Sequence, residues 1–307
     1  MPQVSDYLVD PLLTNMSVAF SNQELIADMV FPRLEVKSRT GYFYKFDKSS
    51  FRVEDDLRTG VARANRIGYG MVKTAFGPLK EHSLEEPIEY EVRDSYPSPM
   101  SAREDATNDV SARLALGHEK AVADLVTATA SMTQNTTLSG TSQWSDFANS
   151  DPFTDIQTGL DTIQGAAFVT ANTLILGYQV WAKLRNHPDL LGRLSTASVR
   201  SLTPELLGAL VGVETVLIGK AVSNTAKEGQ TDAFSYVWGK NAVLAYIASG
   251  PKLKQVSLGY TLQLTNGRMV DRWDEPAVKS EFVRATDYYE AKIVAVEAGY
   301  LIKNAVA

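Results

Sequence analysis

The chain of 307 residues contains no cysteine, so disulfides, thiolate metal sites and thiol nucleophiles are excluded. Its three histidines, His82, His118 and His187, never pair at metal-ligand spacing, and each reads as an ordinary surface or cap residue. No window approaches eighteen uninterrupted apolar residues, so neither a membrane-spanning helix nor a membrane partner is expected. The opening "MPQVSDYLVDPLLTNMSVAF" has no basic stretch followed by an apolar run, which argues against a signal peptide. A G-x-S-x-G elbow is missing. So is a phosphate loop: Gly219-Lys220 and Gly239-Lys240 lack the upstream glycine at the required distance. The "GYG" at 68–70 opens no helix. Adjacent carboxylates such as Asp55-Asp56 and Glu85-Glu86 read as solvated loop residues. No catalytic, cofactor-binding or metal site is expected, and hence no cofactor and no enzymatic activity.

One absence is local. Residues 57–80 hold no acid but five bases, Arg58, Arg63, Arg66, Lys73 and Lys80. The next eleven residues hold five glutamates, Glu81, Glu85, Glu86, Glu89 and Glu91. A basic segment followed by an acidic strip points to one copy's loop meeting the next copy's strip. Overall charge is −6, which gives solubility and no general affinity for nucleic acid; any DNA partner would be contained rather than gripped. With 44% hydrophobic and 21% charged residues, the chain is globular and long enough for a substantial core.

Residues 1–40 read as an arm with a short amphipathic turn near 22–30, ended by Pro32 and otherwise irregular. Over 41–80 the pattern alternates, with Tyr42, Tyr44 and Phe46 on one side of a strand and Phe43, Lys45 and Asp47 on the other. Gly60, Gly68 and Gly70 supply turn positions. A long β-hairpin follows, with arms of roughly 40–50 Å at ~3.3 Å per residue. Such a hairpin is marginal alone in water, so it needs a surface, and another subunit would provide one. The aromatics beside Lys45 and Lys48 fit packing of the hairpin base better than single-strand stacking, because Asp47, Glu54, Asp55 and Asp56 balance the charge.

Pro97 and Pro99 end the next segment. Ser101 and Glu104 form a capping-box pattern before a helix over 101–130, with Ala106, Val110, Leu114, Ala121, Val122 and Leu125 on its apolar stripe and the opposite side wet. Residues 152–250 alternate helix and strand: a helix marked by Ile156, Leu160 and Ile163 and ended by Gly165, the strand "NTLILG", the helix "YQVWAKLRNHP", a helix capped by Thr203-Pro204 and closed by Gly212, the strand "VETVLIG", and a buried Trp238. Residues 256–307 are β-rich, with Asn266-Gly267 read as a hairpin turn and 289–302 as a central strand pair under the long helix.

The order arm, extended hairpin, long helix, α/β unit and terminal strands resembles the major capsid proteins of tailed bacteriophages, an α+β fold of the Hong Kong 97 type. The resemblance covers nearly the whole chain and rests on "IADMVFPRLEVKSRTGYFYKFDKSSFR", the helix from Ser101, and "DYYEAKIVAVEAGYLIKNA". It implies an N-terminal arm (1–40), an extended loop lying across the adjacent subunit (41–91), a peripheral domain (92–151 and 256–307) with spine helix 101–130, and an axial domain (152–255). The subunit interface would join Arg58, Arg63, Arg66, Lys73 and Lys80 to Glu81, Glu85, Glu86, Glu89 and Glu91. Pentamers and hexamers would close an icosahedral head around double-stranded DNA, assembled in the bacterial host cytoplasm. Because the chain opens with the arm itself, a separate scaffolding protein is expected, together with a portal. The lysine–asparagine cross-link of one family member is not assigned: Lys73, Lys80 and Asn304 match no motif for it. An encapsulin-like compartment shell and a soluble α/β enzyme with an oligomerisation arm are the alternatives.

Overall fold

A computed structural model describes residues 8–9, 25–46, 52–53, 56–57, 63, 66, 71–95, 101–194, 201–227, 229–250 and 256–307. In chain order the elements are β1 (Leu8–Val9), α1 (Ala27–Val30), β2 (Arg33–Val36), β3 (Gly41–Phe46), β4 (Met71–Phe76), β5 (Lys80–Glu89), α2 (Tyr90–Ser95), α3 (Ala102–Thr127), β6 (Asn135–Thr137) and α4 (Pro152–Ala167). There follow β7 (Thr173–Gly177), α5 (Tyr178–Leu184), α6 (Pro188–Arg193), α7 (Pro204–Val211), β8 (Thr215–Gly219), β9 (Val222–Asn224), β10 (Phe234–Tyr236), β11 (Ala242–Ala245), β12 (Gly259–Leu264), β13 (Met269–Glu275), β14 (Ser280–Ile293) and β15 (Gly299–Lys303).

The long strand β14 organises the first sheet. On one edge it pairs antiparallel with β5. On the other it pairs with β12 over its last residues and β13 over its first ones. Both β12 and β13 run antiparallel to β14 and neither pairs with the other. Asn266-Gly267 therefore does not turn a hairpin, as its sequence signature implied. Asn266 in the left-handed region, at φ 58, lets one interrupted strand resume along β14. The hairpin lies between β13 and β14, through residues 276–279. The arm is also less irregular than its sequence implied, for β2 joins this sheet parallel to β12.

Among the described residues the second sheet has the order β6-β15-β11-β7-β8. All five residues of β7 are buried. Leu174 and Leu176 enter a core with Trp144, Ile156, Ile163 and Leu207, while Ile175 faces the opposite core with Val122, Val126 and Trp238. An uninterrupted apolar strand is what a sheet covered on both faces requires. The run 289–302, expected to form one strand pair, divides instead. It ends β14 at Ile293, passes a 3-10 turn at Val296–Ala298, and restarts as β15 in the second sheet.

Helix α3 spans about 39 Å at 1.5 Å per residue. Its first half packs Ala106 and Val110 on Ile88, Val270, Val283 and Ala285 of the first sheet. Its last turns pack Val122, Ala123 and Val126 against the second. The wet side carries Glu104, Asp105, Arg113, Lys120 and Asp124. Ser101 occupies the N-cap with an extended backbone, yet its side chain makes no capping bond, so the capping box is not formed. The cap at Thr203 does form, accepting from the amide of Leu206, and Gly212 closes α7 at φ 88. Helix α4 continues two residues past Gly165 and ends on Phe168 in the left-handed region.

Candidate functional site

The hairpin expected over 41–80 begins as predicted. Strand β3 pairs antiparallel with β4, from Gly41 opposite Phe76 to Phe46 opposite Met71, and with no other strand among the described residues. Phe43 is buried and Tyr42 exposed, as alternation requires. Phe43, Phe76 and Leu79 pack on Leu262 of the first sheet, and burying each phenyl contributes roughly 1.5–3 kcal/mol. Lys292 adds a bond from Nζ to the Ala75 carbonyl at 3.2 Å. The hairpin is therefore anchored at its base. The predicted positions Tyr44, Lys45 and Phe46 are described in backbone only, and Arg58 lies outside the described residues. Arg63 and Arg66 are exposed and have no ion-pair partner among the described residues. Lys73 lies on β4 opposite Tyr44, and Lys80 opens β5 opposite Tyr289.

The five glutamates do not form one strip. Alternation along β5 places Glu81, Glu85 and Glu89 on the face of the first sheet turned away from α3, all exposed and ~13 Å apart in sequence steps of four. Glu86 points the other way, toward Asp109 and Arg113 of α3, and partial burial and then the Asp109 carboxylate raise its pKa. Glu91 lies on α2. The open face gathers further groups opposite the row. Tyr288 stands across from Glu81 and under the Arg39 guanidinium at 4.2 Å. Arg284, across from Glu85, pairs with Asp271 and lies over Trp273, whose ring stacks on Phe282 at 5.4 Å. Strand β5 pairs only with β14 among the described residues, so this row lies at a sheet edge.

His118 is not an ordinary surface residue: it is 3% exposed, with Nε2 2.9 Å from Thr261 Oγ1 and its ring edge-on to Tyr289. His82 is half-buried and stacks on the same Tyr289 at 4.1 Å. His187 stands at the N-cap of α6, as a cap reading allows, but is fully buried. All three are drawn inward because sheet or loop covers the side where each lies. Glu119, which carried no expectation, is fully buried. Its carboxylate accepts the amides of Ile26 and Ala27 and the indole N–H of Trp238. Its place on the apolar stripe, four residues before Ala123, was the available signal.

Ser150 donates its hydroxyl proton to the Asp146 carbonyl at 2.6 Å, and its oxygen lies 3.0 Å from His187 Nε2. Among the described residues no three His, Asp or Glu side chains group as metal ligands, and no helix is long and apolar enough to cross a membrane.

No family model matches the chain. It is, however, 32% identical over 304 residues to the major capsid protein of Burkholderia phage BcepMu, covering 97% of this chain and 96% of that one. The chain belongs to the phage major capsid proteins. This capsid protein is also similar to the crystal structure of a phage-related protein from Bordetella bronchiseptica, with TM-score 0.79 and 26% identity over 97% of this chain and 98% of that one. The capsid of Cyanophage P-SCSP1u matches at TM-score 0.63 and 9% identity, over 99% and 92% of the two chains, a likeness of fold. The fold of this capsid protein is the α+β fold of the Hong Kong 97 type. Its copies self-assemble into the icosahedral shell of a phage head, and its place is the virion capsid.

Proposed function

We propose that each capsid subunit holds its neighbour through the segment 41–91, the basic loop of one copy lying on the open-face glutamate row of the next. Arg58, Arg63, Arg66, Lys73 and Lys80 supply the positive side. Glu81, Glu85 and Glu89 supply the main negative side, with Glu86 and Glu91 at its margins. The observation that carries this reading is the hairpin β3–β4, anchored at its base, beside a sheet edge whose exposed face bears three glutamates. Single exposed pairs contribute little, but contacts repeated around a closed shell accumulate by avidity.

In this reading the subunit is a purely structural protein without enzymatic activity. Residues 1–40 are the arm, 92–151 and 256–307 the peripheral domain, and 152–255 the axial domain meeting its copies in pentamers and hexamers. Strands β6 and β15 of the second sheet come from the flanking segments and tie the two domains together. Packaged double-stranded DNA is enclosed without sequence-specific contact, in keeping with the −6 charge. A separate scaffolding protein and a portal are the assembly partners, and assembly takes place in the host cytoplasm. Reversing Arg58, Arg63 and Arg66 to glutamate should abolish particles in electron micrographs while the circular dichroism spectrum stays that of the folded chain. Adding Glu81→Lys, Glu85→Lys and Glu89→Lys to the same chain should restore them. Normal particles from the first triple variant would refute the clamp.

A further inference from the structure

Three stretches distant in sequence meet at one carboxylate. Glu119 Oε2 accepts the amides of Ala27 at 2.7 Å and Ile26 at 3.0 Å, and Oε1 accepts Trp238 Nε1 at 2.6 Å. The donors belong to the arm, at the start of α1, and to the loop between β10 and β11. The surroundings are apolar: Val30, Phe31, Val122, Met132 and Leu217 share this cluster. Two features separate this arrangement from ordinary packing. Helix α1 has four residues, too few to stand by its own hydrogen bonds. And Trp238 lies so close over Gly219 that a β-carbon there would strike its ring, so the indole has one seat on the second sheet.

We propose that Glu119 is a conformational latch that couples the seating of the N-terminal arm to that of the Trp238 loop on the second sheet. While the carboxylate is present, the arm, the long helix and the second sheet move as one body. Without it, three buried N–H donors lose their acceptor, a cost that neither segment can meet alone. Both segments then leave together. Each sheet keeps its ladder, because no strand pairing passes through this point.

Hydrogen–deuterium exchange of the full chain tests the coupling. Glu119→Gln places an amide N–H among donors that need acceptors. Exchange should rise about tenfold or more in both 25–31 and 236–240, with peptides from β7, β11 and β14 unchanged. Trp238→Phe leaves the two backbone bonds to Glu119 in place, yet coupling requires that it too speed exchange in 25–31, by about threefold or more. The proposal is overturned if only one segment responds, if 25–31 stays at the wild-type rate in either variant, or if protection falls equally across all strands. Should Glu119→Gln not fold, the Trp238→Phe result decides alone by the same criteria.

Discussion

Arg103 closes a bidentate fork on Glu281, Nε to Oε1 at 2.8 Å and Nη2 to Oε2 at 2.9 Å, fastening the first turn of α3 to the first residues of β14. Arg93 adds a third bond at 3.3 Å from α2. The carboxylate side chain is 4% exposed, whereas those of Arg93 and Arg103 are 30% and 40% exposed. The arginines thus keep part of their hydration, and the glutamate is compensated by three donors.

Glu281→Gln should therefore lower stability by about 2 kcal/mol, less than for a wholly buried pair because the arginines stay wet. Burial pushes the Glu281 carboxyl up, but the hydrogen bond and charge of Arg103, then Arg93, outweigh it and leave the pKa lowered. A depressed folded pKa contributes stability above the unfolded carboxylate value and loses it as pH falls through the folded one. Urea titrations at pH 7 and at pH 3 should show the wild-type advantage over the variant shrinking at the lower pH. Equal midpoints at pH 7 would show that the fork carries no net stability.

His118 works in the opposite sense. Burial first, and then the Arg33 guanidinium, pull its pKa from 6.5 down to about 4, against the attraction of Asp28 and Asp287. Between those values the unfolded chain binds a proton that the folded chain refuses. Stability then falls as pH drops from 6.5 toward 4, by about 3 kcal/mol, and levels off below. Glu119, raised by burial, shifts stability the other way, so the comparison must be made between variants. Against His118→Gln, wild-type Tm should decline more steeply between pH 7 and pH 4.5. Parallel pH profiles for the two proteins would rule out this titration.

Glycine positions separate space from flexibility. Gly177 ends β7 where the chain turns into α5, and a β-carbon there would press into the backbone carbonyl of Gly239, which has no side-chain freedom to yield. Gly177→Ala should cost about 3 kcal/mol. Gly165, inside α4 with open space around it, should respond inversely, gaining about 0.5–1 kcal/mol as alanine. Differential scanning calorimetry of both variants checks the pair; equal Tm changes would mean that the contact at Gly177 is not limiting.

Much of the architecture was legible in the sequence because local rules act within a few residues. The threonine before α7 and the proline that opens it, the unbroken apolar run of β7 and the wet side of α3 each came out where spacing and capping chemistry put them. The Asn266-Gly267 turn misled for the same reason. Its dipeptide favours positive φ at both residues, but only Asn266 adopts it, and the flanking strands pair with β14 rather than with each other. The burial of His118 was likewise not legible, and that of Glu119 was only hinted at by its place on the stripe, since a helix pattern shows two sides but not how far β12 and the arm extend over the boundary between them.

By itself, the sequence determined the long helix, the alternation of helix and strand after residue 152, the segregation of basic and acidic residues over 57–91, and the exclusion of cysteine chemistry, all properties set by neighbours along the chain. Only the tertiary structure decided that 289–302 serves two sheets, that three of five glutamates share an open face, and that one buried carboxylate ties arm, helix and second sheet together. Those outcomes rest on contacts between residues far apart along the chain. Hydrophobic periodicity shows that a surface must be covered, while the identity of its cover is settled when the whole chain packs at once.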